Sequence, residues 1–204
     1  MRKDTLFGKR IFPILFMFIV TVVCIAIVSG IFLSTEERVK LNESIFLKRA
    51  VLYAANIPVP ETPEEIQEVW VGRIEPVPEE ADEAEYFRVL DEGGNLTGYV
   101  IFSRGPGLWG EIEAVVGFQN DLDTLTGVEF TAQNETPGLG ARITESWFKE
   151  QFRGKEGPFE LVPEGTADEP DEIDAITGAT RTSQYVRTLM NNAVENAGDL
   201  DQEI

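Results

Sequence analysis

The sequence contains no histidine and a single cysteine, Cys24. These absences remove several chemistries together. Ser-His-Asp and Cys-His nucleophile systems need an imidazole base, and the commonest zinc sites need imidazoles or several thiolates. Cys24 lies inside a long apolar run, so the remainder of the chain has no disulfide, no thiolate nucleophile and no thiolate metal site. Positive charge is scarce as well. Seventeen basic residues face 36 acidic ones, a net charge of −19. Setting aside Arg2, Lys3, Asp4, Lys9 and Arg10 leaves 13 basic against 35 acidic residues. Such a surface repels nucleic acid and anionic lipid headgroups alike, and solubility or adaptation to salt accounts for it without naming a substrate. Chemistry in this chain is expected to come from a bound cofactor.

What is present begins with an uncharged run from residue 11 to residue 35. At about 1.5 Å per helical residue, Ile11 to Leu33 is long enough to cross a hydrocarbon core of about 30 Å. A cleaved signal peptide would have a shorter apolar region ending in small residues, whereas this one ends in Ile31-Phe32-Leu33. Cleavage as a lipoprotein at Cys24 is disfavoured by the bulky Val23 before it. Arg2, Lys3, Lys9 and Arg10 precede the run and Glu36 and Glu37 follow it, which orients the N-terminus to the cytoplasm and the rest outside. The expected organisation is a cytoplasmic N-terminus at 1–10, a transmembrane helix at 11–33, a helical stalk and acidic Pro/Glu-rich connector at 34–85, and one domain at 86–204. Localisation at the inner (plasma) membrane follows, with membrane lipid in contact with 11–33.

The stalk reads as helical over 36–56, with Val39, Ile45, Phe46, Ala50, Val51 and Tyr53 as its packed face, and Pro58, Pro60 and Pro63 end it. Residues 57–85 read as an extended, solvated connector with one short strand at Val69 to Ile74. Strand patterns then appear at 86–90, 96–103, 111–118 and 127–132, the first two joined across Asp91-Glu-Gly-Gly-Asn95. A helix at 146–152, a short strand at 159–162 and a final helix at about 181–197 complete the order. Strands in hairpin order followed by helices indicate an α+β domain with an antiparallel sheet and flanking helices.

Two loops carry more than a hairpin requires: Gly105-Pro-Gly-Leu-Trp-Gly110 and Asn134-Glu-Thr-Pro-Gly-Leu-Gly140. If both fall at one end of the sheet, Trp109 and Leu139 form walls for a flat aromatic ligand. Trp109 as a core indole and the second loop as a plain turn are the competing readings. The last helix is preceded by Asp174-Ala-Ile-Thr-Gly-Ala-Thr180. Its small-residue turn places Thr180 at a helix N-terminus, where unpaired N–H groups and the macrodipole favour an anion such as phosphate. An ordinary turn and N-cap fits the same residues.

In this order, G-P-G-L-W-G, E-T-P-G-L-G and D-x-x-T-G-A-T resemble the covalent FMN-binding subunits of two ion-translocating electron-transport complexes. These complexes are the Nqr NADH:quinone oxidoreductase and the Rnf ferredoxin:NAD oxidoreductase. The resemblance covers the anchor and residues 86–197. It implies an extracytoplasmic FMN-binding domain in which a flavin transferase joins FMN, through its phosphate, to the hydroxyl of Thr180. Asp174 would belong to the signal read by the transferase, with Thr177, Gly178 and Ala179 forming the rest of the motif. Leu108 and Trp109 would lie against the isoalloxazine, with Thr136, Gly138 and Leu139 approaching from the other loop. Glu135 would be structural, and Arg181 is either a further phosphate partner or a solvated side chain. No metal and no catalytic residue are implied, because electron transfer by a flavin needs no protein acid or base. The partners implied are the other membrane subunits of such a complex. The alternative is a stand-alone membrane-tethered FMN reductase module passing electrons to an external acceptor, and a colourless binding module is a third reading.

Overall fold

The computed structural model describes residues 11–78 and 84–201. The expected cytoplasmic N-terminus at 1–10 lies outside the described residues. The chain divides into two compact units, Met1–Ser44 and Ile45–Ile204. Helix α1 (Phe12–Ala54) contributes to both. Its segment Phe12–Glu36 has a mean hydropathy of 2.9 and buries no residue, so it is long and apolar enough to cross a membrane.

The second unit is built on a five-stranded antiparallel sheet: β1 (Ile74–Val77), β2 (Tyr86–Leu90), β3 (Leu96–Pro106), β4 (Glu111–Gln119) and β5 (Leu125–Ala132), in that spatial order. Four of these strands are those expected from the sequence. β1 is added at the edge, pairing Ile74 with Val89 and Val77 with Tyr86. Because successive strand residues point to opposite faces, the buried stretches of β3 and β4 feed two cores. Tyr99, Ile101, Ile112, Ala114, Val116, Phe118, Val128 and Phe130 pack with Phe148, Phe152, Phe159 and the last helix, α4 (Thr180–Asp201). Val100 and Val115, with Phe87, Val89 and Ile74, pack on the other side against Ala50, Val51, Leu52, Ala54, Ile66 and Trp70. The sheet is thus sandwiched between helices.

That second layer corrects the expected stalk and connector. Ala50, Val51, Leu52 and Ala54 are core residues, whereas Val39 and Phe46, expected on the packed face, are exposed. Within the expected extended connector, Pro63–Arg73 is a helix, α2, so the short strand expected at Val69 to Ile74 is helical up to Arg73 and the strand begins only at Ile74. Thr62 caps it by accepting a hydrogen bond from the Glu65 N–H while Glu65 accepts one from the Thr62 N–H, and Pro63 occupies the first turn, where its missing N–H costs nothing.

After β5 come a 3₁₀ turn (Gly140–Thr144), the short helix α3 (Ser146–Glu150), and two strands paired in parallel, β6 (Glu160–Val162) and β7 (Glu172–Asp174). β7 leads directly into the turn before α4. That helix runs across β3, where the Ser103 hydroxyl donates to the Leu189 carbonyl at 3.2 Å. Its buried residues Val186, Leu189, Met190, Ala193 and Ala197 follow the helical spacing read from the sequence.

Candidate functional site

Antiparallel order brings the end of β3, the start of β4 and the end of β5 to one edge of the sheet, so the loops 107–110 and 133–139 are neighbours. A single buried side chain fixes them. The Glu135 carboxylate, 5% exposed, accepts the Leu108 N–H at 2.7 Å and the Trp109 N–H at 3.2 Å on Oε1. Its Oε2 accepts the hydroxyl of Thr182, which is buried in the first turn of α4. One carboxylate therefore ties both loops to the first turn of α4, directly after the third motif, and three donors meet its need for hydrogen bonds away from water. Gly140 is required beside it: a Cβ there would lie 2.6 Å from Thr182 Oγ1 and 2.7 Å from Glu135 Oε2.

The turn into α4 is built by its own residues. The Ala179 N–H donates to the Ile176 carbonyl at 2.9 Å, closing a four-residue turn whose third position, Gly178, has φ +82°. The Ser183 hydroxyl accepts the Ile176 N–H at 2.9 Å and donates to the Ala179 carbonyl at 3.1 Å. Ala179 is buried, while Thr177, Gly178 and Thr180 stand exposed on the rim. Thr180 is the first residue of a 22-residue helix, where backbone N–H groups and the macrodipole favour an anion. Leu139 reaches the same turn, its Cδ2 lying 3.2 Å from where a Cβ on Gly178 would stand.

Around that edge, large apolar side chains face solvent: Leu108 is 44%, Trp109 67% and Leu139 43% exposed. Trp109 is not a core indole. Thr136 and Gly138 are exposed on the same loop, and the Thr136 carbonyl accepts the Leu139 and Ala141 N–H groups. Beside Thr180 lies a cleft of about 460 Å³, lined by Leu161, Val162, Pro163 and Glu164, by Thr177 in the turn, and by Thr180, Gln184 and Arg187 along α4. Leu108, Trp109 and Leu139 do not line it.

Several of these groups were not anticipated. Glu164 accepts the Thr177 N–H at 2.7 Å and pairs with Arg142 at 3.5 Å. The hydrogen bonds from Thr177, then the Arg142 charge, hold its carboxyl below the ordinary range. Arg187 Nε is buried without a hydrogen-bond partner, an arrangement that costs about 1–3 kcal/mol unless a ligand relieves it. Asp174 is half-buried, and its Oδ1 accepts the N–H groups of Thr166 and Ala167, both at 3.0 Å. It therefore shapes the loop that precedes β7. The spacing of Thr180, Gln184 and Arg187 at i, i+4 and i+7 was the available signal for one helix face lining the cleft.

An exposed hydroxyl at a helix start, a cleft beside it lined by an arginine with an unpaired Nε, and exposed apolar side chains on the neighbouring loops fit a phosphate-bearing aromatic ligand such as FMN. Residues 107–195 match the FMN-binding domain family. The Na(+)-translocating ferredoxin:NAD(+) oxidoreductase complex of Acetobacterium woodii has a subunit that is 35% identical over 139 residues, covering 66% of this chain and 57% of that one. The Na(+)-translocating NADH-quinone reductase of Haemophilus ducreyi has one that is 34% identical over 110 residues, covering 50% and 43%. The chain spans about half the length of the curated relatives it matches. The crystal structure of Shewanella oneidensis NqrC superposes with a TM-score of 0.63 at 20% identity, covering 75% of this chain and 96% of that one, and shares its fold.

Proposed function

We propose, from the match of residues 107–195 to the FMN-binding domain family, that this chain is a membrane-anchored electron-transfer subunit with FMN carried on Thr180. The observation that carries the reading is the Glu135 carboxylate, which holds the Leu108-Trp109 loop, the 134–140 loop and the first turn of α4 as one unit around an exposed threonine. Bound FMN supplies the electron-accepting and electron-donating chemistry that no side chain here provides. The residues of the chain position it. Leu108, Trp109, Thr136, Gly138 and Leu139 offer flat and glycine-flanked surface to the ring, and the start of α4 stabilises the phosphodiester charge. Thr177, Gly178 and Ala179 set the turn that presents Thr180.

Attachment forms a bond between Thr180 Oγ and phosphorus. It needs a flavin donor whose phosphate is activated as an anhydride: that anhydride bond breaks, the nucleotide leaves with its electron pair, and the hydroxyl proton goes to the transferase or to water. No redox change occurs. Asp174, on the strand that enters the turn, is the residue proposed for recognition by the transferase. A tether of this kind prevents loss of the cofactor by dilution on the outer face, where the positive-inside rule places the domain.

The partners proposed are the other membrane subunits of an Nqr-type or Rnf-type complex, with the apolar helix of α1 holding the chain in the bilayer. The test is to purify the chain after co-expression with a flavin transferase and to record its absorption before and after acid precipitation. Flavin bands that remain with the precipitated protein support the reading. A colourless protein contradicts it.

A further inference from the structure

We propose that Arg187 is the cationic partner of the flavin phosphate, a role that rests on the FMN reading above. Thr180, Gln184 and Arg187 follow one face of α4 and all line the same cleft. Thr180 lies ~10 Å from Arg187 along the helix axis at ~1.5 Å per residue. A long helical side chain leans toward the helix N-terminus, which favours an Arg187 side chain directed toward the Thr180 end of that face, about two turns away.

Its chemistry matches the place. Arg187 Nε is buried and has no hydrogen-bond partner. The edge of a guanidinium formed by Nε and one Nη is the fork that meets two phosphate oxygens at once, and Arg187 lines the cleft with that Nε unpaired. Charge balance points the same way. The chain carries −19, and Glu164 lines the cleft with Thr180, so a phosphate placed there needs a compensating cation. Arg142 is engaged with Glu145 and Glu164. Arg181, next to the attachment residue in sequence, is exposed and does not line the cleft. Among the described residues that line it, Arg187 is the only cation.

The experiment uses the full chain in detergent, expressed without a transferase, titrated with FMN and separately with riboflavin, and followed by flavin fluorescence. Arg187→Gln weakens FMN binding ~10-fold or more, the loss expected for one charge-assisted contact, leaves riboflavin binding unchanged and does not lower the melting temperature. Arg187→Lys keeps part of the FMN affinity, and Arg181→Gln keeps it all. Unchanged FMN affinity in Arg187→Gln overturns the proposal, as does an equal loss for both ligands. Loss in Arg181→Gln alone overturns it too. A parent chain that binds neither FMN nor riboflavin overturns the FMN reading itself, and this proposal falls with it.

Discussion

The buried carboxylate of Glu135 accepts the hydroxyl of Thr182, 47 residues further along the chain, while its other oxygen accepts two backbone N–H groups of the Leu108-Trp109 loop. Replacing Glu135 with alanine leaves these donors without a partner. The expected cost is about 2–4 kcal/mol in urea unfolding of the detergent-solubilised chain, because buried unsatisfied groups keep their desolvation penalty. Flavin loading should fall with it. Glu135→Gln, which keeps an acceptor for one side only, should lie between alanine and the parent.

Gly140 provides a steric test of the same knot. Gly140→Ala drives a methyl group against Thr182 Oγ1 and Glu135 Oε2, and the expected destabilisation is about 1–3 kcal/mol. Gly98→Ala would be a poor control, since that glycine is itself crowded by the β4 backbone. Gly72→Ala, on α2 with open space around it, should be neutral or slightly stabilising.

The sequence made the sheet legible and much of this site with it. Strands β2 to β5 announced themselves through apolar runs separated by Gly, Asn and Asp turns, and α4 through its helical spacing. In the second helical layer, the helix over 36–56 with Ala50 and Val51 packed was legible, whereas α2 was hidden by composition. Pro58, Pro60 and Pro63 read as breaks, although Thr62-Pro63-Glu64-Glu65 is a helix-start signal in which proline sits at the first turn. Only Ile66 and Trp70 of α2 are buried, too few to outweigh the acidic residues around them. The cleft beside Thr180 was illegible for a different reason. Its walls, Leu161 to Glu164 and Thr177 to Arg187, come together through the parallel pairing of β6 with β7, and a three-residue parallel pair leaves almost no pattern in a sequence.

Tyr53 gives a pH-dependent prediction. Its hydroxyl donates to Glu150 at 2.6 Å, and its ring lies under Lys149 at 4.3 Å and Arg153 at 5.5 Å. The Arg153 hydrogen bond first, then that of Tyr53, draws the Glu150 carboxyl from 4.5 down to about 2. Burial first, then Glu150, pushes the Tyr53 hydroxyl from 10.0 up to about 12. The depressed carboxylate contributes stability above pH 4.5 that is lost as pH falls toward about 2. The raised phenol contributes stability below pH 10 that is lost as pH rises through about 12. Glu150 is 46% exposed at its side chain, so solvent screening limits its share to about 1 kcal/mol or less. Thermal melts between pH 2 and pH 6 should show a shallower acid limb for Glu150→Gln than for the parent. An identical acid limb would remove the carboxylate from the account.

The attachment of FMN at Thr180 is tested most directly by intact mass and peptide mapping of the chain co-expressed with a flavin transferase. The parent should gain the mass of FMN less one water, located on the peptide that contains Thr180, and Thr180→Ala should gain nothing while remaining folded. An adduct that persists in Thr180→Ala, or a parent that carries none, would contradict the account.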